Sequence, residues 1–183
     1  MKSAYYRNLI KTVLDSSESD TWEEAVREWD ICDCEEDKHC SSFCICGKEH
    51  LKYLYTIRNR KTRRILYPIG SSCIKKFERD DMEETIKIQE GMFKLYSAIQ
   101  DGERIELSTR FFSKKILLYL YRQGAYKPTR YNHYNGEEDY QFLLDMFNKR
   151  NKNEITELQQ RKIRAIIAFS IKPFLQRNLK YKE

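Results

Sequence analysis

No apolar run in this chain approaches the roughly 20 residues that a membrane-spanning helix needs. The longest, Ile116-Leu117-Leu118-Tyr119-Leu120-Tyr121, falls far short. The opening Met1-Lys2-Ser3-Ala4-Tyr5-Tyr6-Arg7 lacks the apolar core of a secretory signal, so a cytoplasmic location is the expectation. There is no phosphate-binding glycine loop, no dinucleotide fingerprint, and no nucleophile motif with a placed base. The expectation is therefore a protein without catalytic residues. No internal repeat and no low-complexity tract interrupts the chain, and no cysteine follows Cys73.

What is present is charge, unevenly placed. Of 183 residues, 34% are charged and 40% apolar, enough for one ordinary domain or two small ones with a strongly solvated surface. Asp15 to Asp37 holds eleven acids and one base, a local net of −10. Lys38 to Arg79 holds eleven bases and two acids, a net of +9, and the chain from Gly102 onward carries +8. Basic stretches of this kind suit a nucleic acid or nucleoprotein complex as partner. The acidic block can instead pair with the basic one inside the molecule, or meet a basic protein.

Periodicity predicts a short amphipathic helix over Tyr5 to Leu14 and a second one capped by Asp20 or Thr21, with Glu23 and Glu24 in its first turn. Trp29 to Ile31 enters a strand, and Cys32 to Phe43 reads as an irregular acidic loop. The β-formers of Leu51 to Ile57, the turn Asn59-Arg60-Lys61-Thr62 and the return Ile65 to Ile69 make a hairpin. Gly70 bends the chain, and Ser71 or Ser72 caps a helix that starts near Cys73 and reaches about Gln100, with a break near Asp80-Asp81. Ser108 caps the next helix, to Arg122 or Gln123. Glu137 to Asn148 forms another. The last opens at Thr156-Glu157-Leu158-Gln159 and is bent or ended by Pro173. The sum is an α+β chain: a treble-clef-like, zinc-stapled hairpin module (29–79) after an N-terminal helical segment (1–28), packed on a mainly helical C-terminal half (80–183).

Five of the six cysteines lie between 32 and 46, and such clustering points to a metal more than to disulfides. Cys44-Ile45-Cys46-Gly47 is a tight knuckle, and Cys73 sits at a helix start about one hairpin later. Zinc takes four tetrahedral sulfur or nitrogen ligands, and this layout delivers three. Three residues beyond Cys73, where a treble clef places its second helix ligand, stands Lys76. Spacing leaves Cys34, Cys32, Cys40, His39 and His50 as candidates for the fourth. Four protein ligands leave no open position for chemistry, so the expected zinc is structural, one per chain.

Trp29-Asp30-Ile31-Cys32-Asp33-Cys34-Glu35-Glu36-Asp37, the Cys44-Ile45-Cys46-Gly47-Lys48 knuckle, and Tyr67-Pro68-Ile69-Gly70-Ser71-Ser72-Cys73-Ile74-Lys75-Lys76-Phe77 resemble a family of small zinc-module proteins. These are encoded by Firmicutes-type bacteria, their phages and their plasmids. The resemblance extends through Tyr140-Gln141-Phe142 and Gln160-Arg161-Lys162-Ile163. It implies that Cys34, the cysteine before the Glu-Glu-Asp run, is the fourth ligand, though Cys32 and Cys40 are extra to the pattern. It transfers no activity. Its mobile-element setting implies an alternative to nucleic-acid binding: an anti-CRISPR protein that inhibits a Cas9-type RNA-guided nuclease by direct binding.

Arg58, Arg60, Lys61, Arg63 and Arg64 crowd the hairpin turn beside Tyr53, Tyr55 and Tyr67, so cations there can track phosphates while aromatics stack. The same residues also read as a solvated hairpin tip with its tyrosines in the core. Tyr126, Tyr131, Tyr134 and Tyr140 with His133 read either as a recognition loop or as anchors of a long loop. Asp80, Asp81, Glu83 and Glu84 could hold a nuclease metal. Acids at a helix start are explained by its dipole, which leaves nuclease activity the weakest reading.

Overall fold

The computed structural model describes residues 3–182. They form an α+β chain of eight α-helices and one four-stranded sheet. The chain divides into two compact units: Met1–Gln89 joined by Leu179–Glu183, and Glu90–Asn178. The boundary thus falls inside a long helix rather than at residue 80, and the segment after Asn178 belongs with the first unit rather than the helical one.

In unit 1, α1 (Ala4–Leu14) begins where the Ser3 hydroxyl accepts the Tyr6 N–H, and it buries Leu9 and Val13. Helix α2 (Trp22–Ala25) follows, and Trp29 opens β1 (Trp29–Glu36). Strand β1 pairs antiparallel with β2 (Tyr53–Asn59), and β2 pairs antiparallel with β3 (Ile65–Ile69). The two-residue β4 (Lys180–Tyr181) completes the order β3-β2-β1-β4 by lying parallel to β1, with Lys180 opposite Glu35. Trp29, Leu54, Tyr55, Ile57 and Ile69 are almost wholly buried.

The acidic run after Ile31 is therefore strand as far as Glu36, not loop. Its carboxylates are answered one by one: Lys180 on Asp33, Tyr67 on Glu35, Lys52 at 3.4 Å from Glu36. The register shifts between Ile31 and Asp33, the mark of a bulge that leaves Cys32 exposed. Beyond β1, the buried Asp37 gathers the loop. Its carboxylate accepts the Ser42 hydroxyl at 2.6 Å and the backbone N–H groups of His39 and Ser41 at 3.0 Å.

A second buried carboxylate ties the hairpin turn to the acidic segment. Glu28 accepts the backbone N–H groups of Glu18 and Ser19, the Ser19 hydroxyl at 2.6 Å and the Asn59 amide at 2.7 Å. Burial pushes this carboxyl up, but the bonds from Ser19, Asn59 and the backbone outweigh it and hold it down at about 2. A folded value below the unfolded 4.5 means that the ion's contribution is full above about 4.5 and is lost as pH falls toward about 2. Glu28→Gln is expected to be less stable at neutral pH and to lose that acid-limb slope. Urea midpoints of both proteins between pH 2 and 7 test this, and parallel curves would remove Glu28 from the account.

After Ile69, Gly70 rather than a serine is the N-cap of α3 (Ser71–Ile74). A 3₁₀ turn over Lys75–Phe77 ends at Glu78, whose left-handed backbone (φ 52°) separates it from α4 (Asp80–Gln100). The break lies two residues before the expected Asp80-Asp81.

Unit 2 takes up α4 from Glu90 and adds α5 (Lys114–Arg122), α6 (Gly136–Asn148), α7 (Glu157–Ile166) and α8 (Lys172–Asn178). Ser113, not Ser108, caps α5 by accepting the Ile116 N–H at 3.1 Å; the Ser108 carbonyl instead closes a turn with Phe111 and Phe112. Thr156 and Gln159 form a reciprocal capping box that opens α7. Pro173 does not end the last helix. A π-helical turn over Ile167–Ile171 precedes it, a widened turn that gives its ring and missing N–H room inside the helical run. Among the described residues no helix is long and apolar enough to cross a membrane.

Candidate metal centre

The knuckle forms because Gly47 takes φ 92°, open to glycine, letting its N–H reach the Cys44 carbonyl at 2.7 Å while the Cys44 N–H bonds Lys48. The Asn8 amide of α1 holds the Cys46 carbonyl at 3.2 Å. The Ile45 N–H bonds the Pro68 carbonyl at the end of β3, next to the bend that carries Cys73. At Gly70 a β-carbon would meet the end of the Leu51 side chain at 2.9 Å, so the bend packs closely on Leu51.

These contacts bring the sulfurs of Cys44, Cys46 and Cys73 within 4.8 Å of one another. Cys73 lies 3.6 Å from Cys44 and 3.4 Å from Cys46. A zinc–sulfur bond of about 2.3 Å in a tetrahedron sets sulfurs about 3.8 Å apart, so the donor set fits that ion with little adjustment. The hydrogen bond from the Cys73 thiol, against burial, draws Cys44 down to about 5, helped by the backbone N–H groups of Cys46 and Gly70. Cys73 is driven far up by the same bond, and Cys46 is raised by burial. Three thiolates cannot stand together here without a cation, and a divalent metal supplies the charge that lets them ionise.

No disulfide joins any of the six cysteines. Cys34, expected as fourth ligand, is buried on β1 opposite Tyr55 and is not in the sulfur cluster. The strand explains this: an extended Cys34 is fixed by ladder pairing instead of looping back to the knuckle. Cys32 points its sulfur at the Thr56 carbonyl (3.5 Å) and Cys40 at the Asp37 carbonyl (3.7 Å). His50, with its backbone left-handed at φ 61°, lines a cavity of about 160 Å³ together with Cys44, Cys73, Lys48 and Lys52. Lys76 is exposed, as a non-ligand at that position should be.

The five hairpin cations divide. Arg60 pairs with Asp30 at 3.3 Å and bonds the Arg27 carbonyl; Lys61 lies 3.4 Å from Glu18 and 3.6 Å from Glu28; Arg64 bonds the Asp15 carbonyl. Arg64 has no ion pair beyond that carbonyl contact, and among the described residues Arg58 and Arg63 have neither an ion pair nor a side-chain hydrogen bond; both are exposed. The acidic block thus pairs with much of the basic one. Of the neighbouring tyrosines, Tyr55 is core and Tyr67 is 44% exposed. Of the helix-start acids, Asp81 is held down by Arg79, which also reaches Asp30, and Glu83 lies 4.0 Å from Lys87. No protein-family model matches the chain, nor does any curated protein or solved structure.

Proposed function

We propose that Cys44, Cys46 and Cys73 hold one structural zinc ion in a treble-clef-like centre, and that the hairpin so fixed is a non-enzymatic binding module for nucleic acid or a nucleoprotein complex. The observation that carries the metal is the sulfur triad, with separations of 3.4 and 3.6 Å close to a tetrahedral edge. Bound zinc would cross-link knuckle, hairpin and helix start, and so fix the surface on which Arg58 and Arg63 stand free.

His50 is the fourth ligand in this proposal because it lines the cavity that Cys44 and Cys73 also line, and to reach them its ring must leave the Cys40 carbonyl and Glu49. His50→Ala is expected to weaken zinc binding by about tenfold or more, whereas Cys34→Ser keeps the metal. Competition with a chromophoric chelator measures both; zinc lost only from Cys34→Ser would restore the cysteine.

The binding surface is tested by dividing the hairpin charges. Arg58→Ala with Arg63→Ala should weaken nucleic-acid binding and lower the slope of log affinity against log salt by about 1.5, at roughly 0.7 to 0.9 per phosphate. Replacing Arg60, Lys61 and Arg64 should cost stability more than affinity. Equal salt slopes for wild type and the first variant would discard the hairpin as the contact.

A second reading has its own support. Asp20, Glu23 and Glu24 are exposed and carry no ion pair among the described residues. Such an acidic face suits the positively charged channel of an RNA-guided nuclease. Binding to a Cas9-type effector, with none to bare duplex or single strand, would select that inhibitor reading.

A further inference from the structure

Tyr131 and Tyr134 are each 73% exposed, yet the loop that carries them is firmly built. Beneath them Asn132 is fully buried; its carbonyl oxygen accepts the Thr129 N–H at 2.7 Å and its amide donates to the Lys127 carbonyl and to Asp139, both at 2.8 Å. Asp139 is in turn 3.7 Å from Lys162. Gly136 closes the loop so tightly that a β-carbon there would lie 2.1 Å from the Tyr126 carbonyl oxygen. Above this base two consecutive side-chain-bearing residues, His133 (φ 49°) and Tyr134 (φ 60°), hold the left-handed conformation that such residues rarely adopt. The strain presents a large aromatic ring to solvent instead of burying it, the reverse of what a loop anchor does.

The surroundings select the ligand. The Arg130 guanidinium lies over the Tyr131 ring, 4.7 Å from its centroid, and bonds its hydroxyl at 2.5 Å. Lys127 and Arg122 carry no ion pair among the described residues, and no acid occurs between Arg122 and Gly136. Glu138, just beyond, is bonded to His133 at 2.7 Å. Two exposed aromatic rings, beside cations that have no counter-ion among the described residues, fit a ligand that is both polyanionic and rich in free π faces. A duplex offers the charge but hides its faces; an unpaired strand offers both.

We infer that the loop 127–135 is a stacking platform for single-stranded nucleic acid, in which Tyr131 and Tyr134 take bases while Arg130 and Lys127 meet the flanking phosphates. The inference rests on the nucleic-acid reading above for its ligand class, and on unit 2 alone for its residues. The test is fluorescence anisotropy of the zinc-loaded protein with a labelled oligodeoxythymidylate of about 12 nucleotides and with a duplex of the same length. Tyr131→Ala with Tyr134→Ala should weaken strand binding by about a hundredfold, at roughly tenfold per stacked base. The corresponding double phenylalanine variant should stay within about threefold of wild type, because the ring face does the stacking. Strand binding unchanged in the double alanine variant overturns the inference, and if Arg58→Ala with Arg63→Ala abolishes it instead, the hairpin reading stands alone. Wild type that prefers duplex, or binds no strand, also overturns it and leaves the loop to a protein partner.

Discussion

Cys73→Ser is expected to emerge from purification without metal and with its hairpin module unfolded. Groups that merely hydrogen-bond a metal's ligands typically cost 10- to 100-fold in metal affinity when removed, so loss of one of three clustered sulfurs should cost more than about a hundredfold. The effect on folding follows because a structural zinc contributes its binding free energy to the folded state, and in small zinc modules that is the larger part of stability. Cys44 and Cys46 are buried, and their knuckle is tied to its surroundings by few bonds: the Ile45 N–H to the Pro68 carbonyl, the Asn8 amide to the Cys46 carbonyl and the Gly70 N–H to the Cys44 sulfur. Cys44→Ser and Cys46→Ser should behave alike. Elemental analysis, with circular dichroism before and after chelation, reads both effects. Full zinc in Cys73→Ser, or wild type that folds identically with and without chelator, would refute the centre.

Trp29→Ala is expected to cost about 3 to 5 kcal/mol, a large share of the roughly 5 to 15 kcal/mol typical of a whole domain. The indole is wholly buried at the start of β1, and its Nε1–H donates to the Ser17 hydroxyl at 2.9 Å. Its truncation removes core volume and the bond that fastens the polar linker after α1. Urea denaturation of zinc-loaded protein measures the loss. Trp29→Phe should recover most of it but not the Ser17 bond. A cost below about 1 kcal/mol for the alanine variant would mean that the site collapses freely and is no keystone of the sheet.

The parts of this protein that were legible in its sequence are those where one local rule acts alone. Alternating β-formers gave β2 and β3, and the knuckle with its answering Cys73 gave the three sulfurs that converge. Strand β1 was cut short because Asp33, Glu35 and Glu36 have poor strand propensity. What keeps them extended is distant: Lys52 across the hairpin, and Lys180 at the far end of the chain. Two residues long, β4 has no periodicity to detect. Spacing left five candidates for the fourth ligand and the resemblance pointed to Cys34, but Cys34 lies on β1 opposite Tyr55 and outside the sulfur cluster. Ser108 and Ser113 both precede apolar helical residues, and only the turn formed by the Ser108 carbonyl decides between them. Whether the hairpin cations pair with the acidic block was left open by the sequence, which separates them from Asp15, Glu18 and Glu28; the fold brings these alongside.

The parallel pairing of β4 with β1 also sets an order of events during synthesis. Roughly 110 residues separate the end of β3 from Lys180, and at about 5 to 20 residues per second a ribosome needs some 5 to 20 s to supply them. Through that interval the outer edge of β1 is open on a nascent chain, a hazard for edge-to-edge association with neighbouring copies. The same carboxylates that made β1 hard to recognise, Asp33, Glu35 and Glu36, line that strand and repel a second copy of themselves. Lys180 then neutralises Asp33 as the edge closes, so the charge that guards the unfinished sheet becomes part of the contact that finishes it.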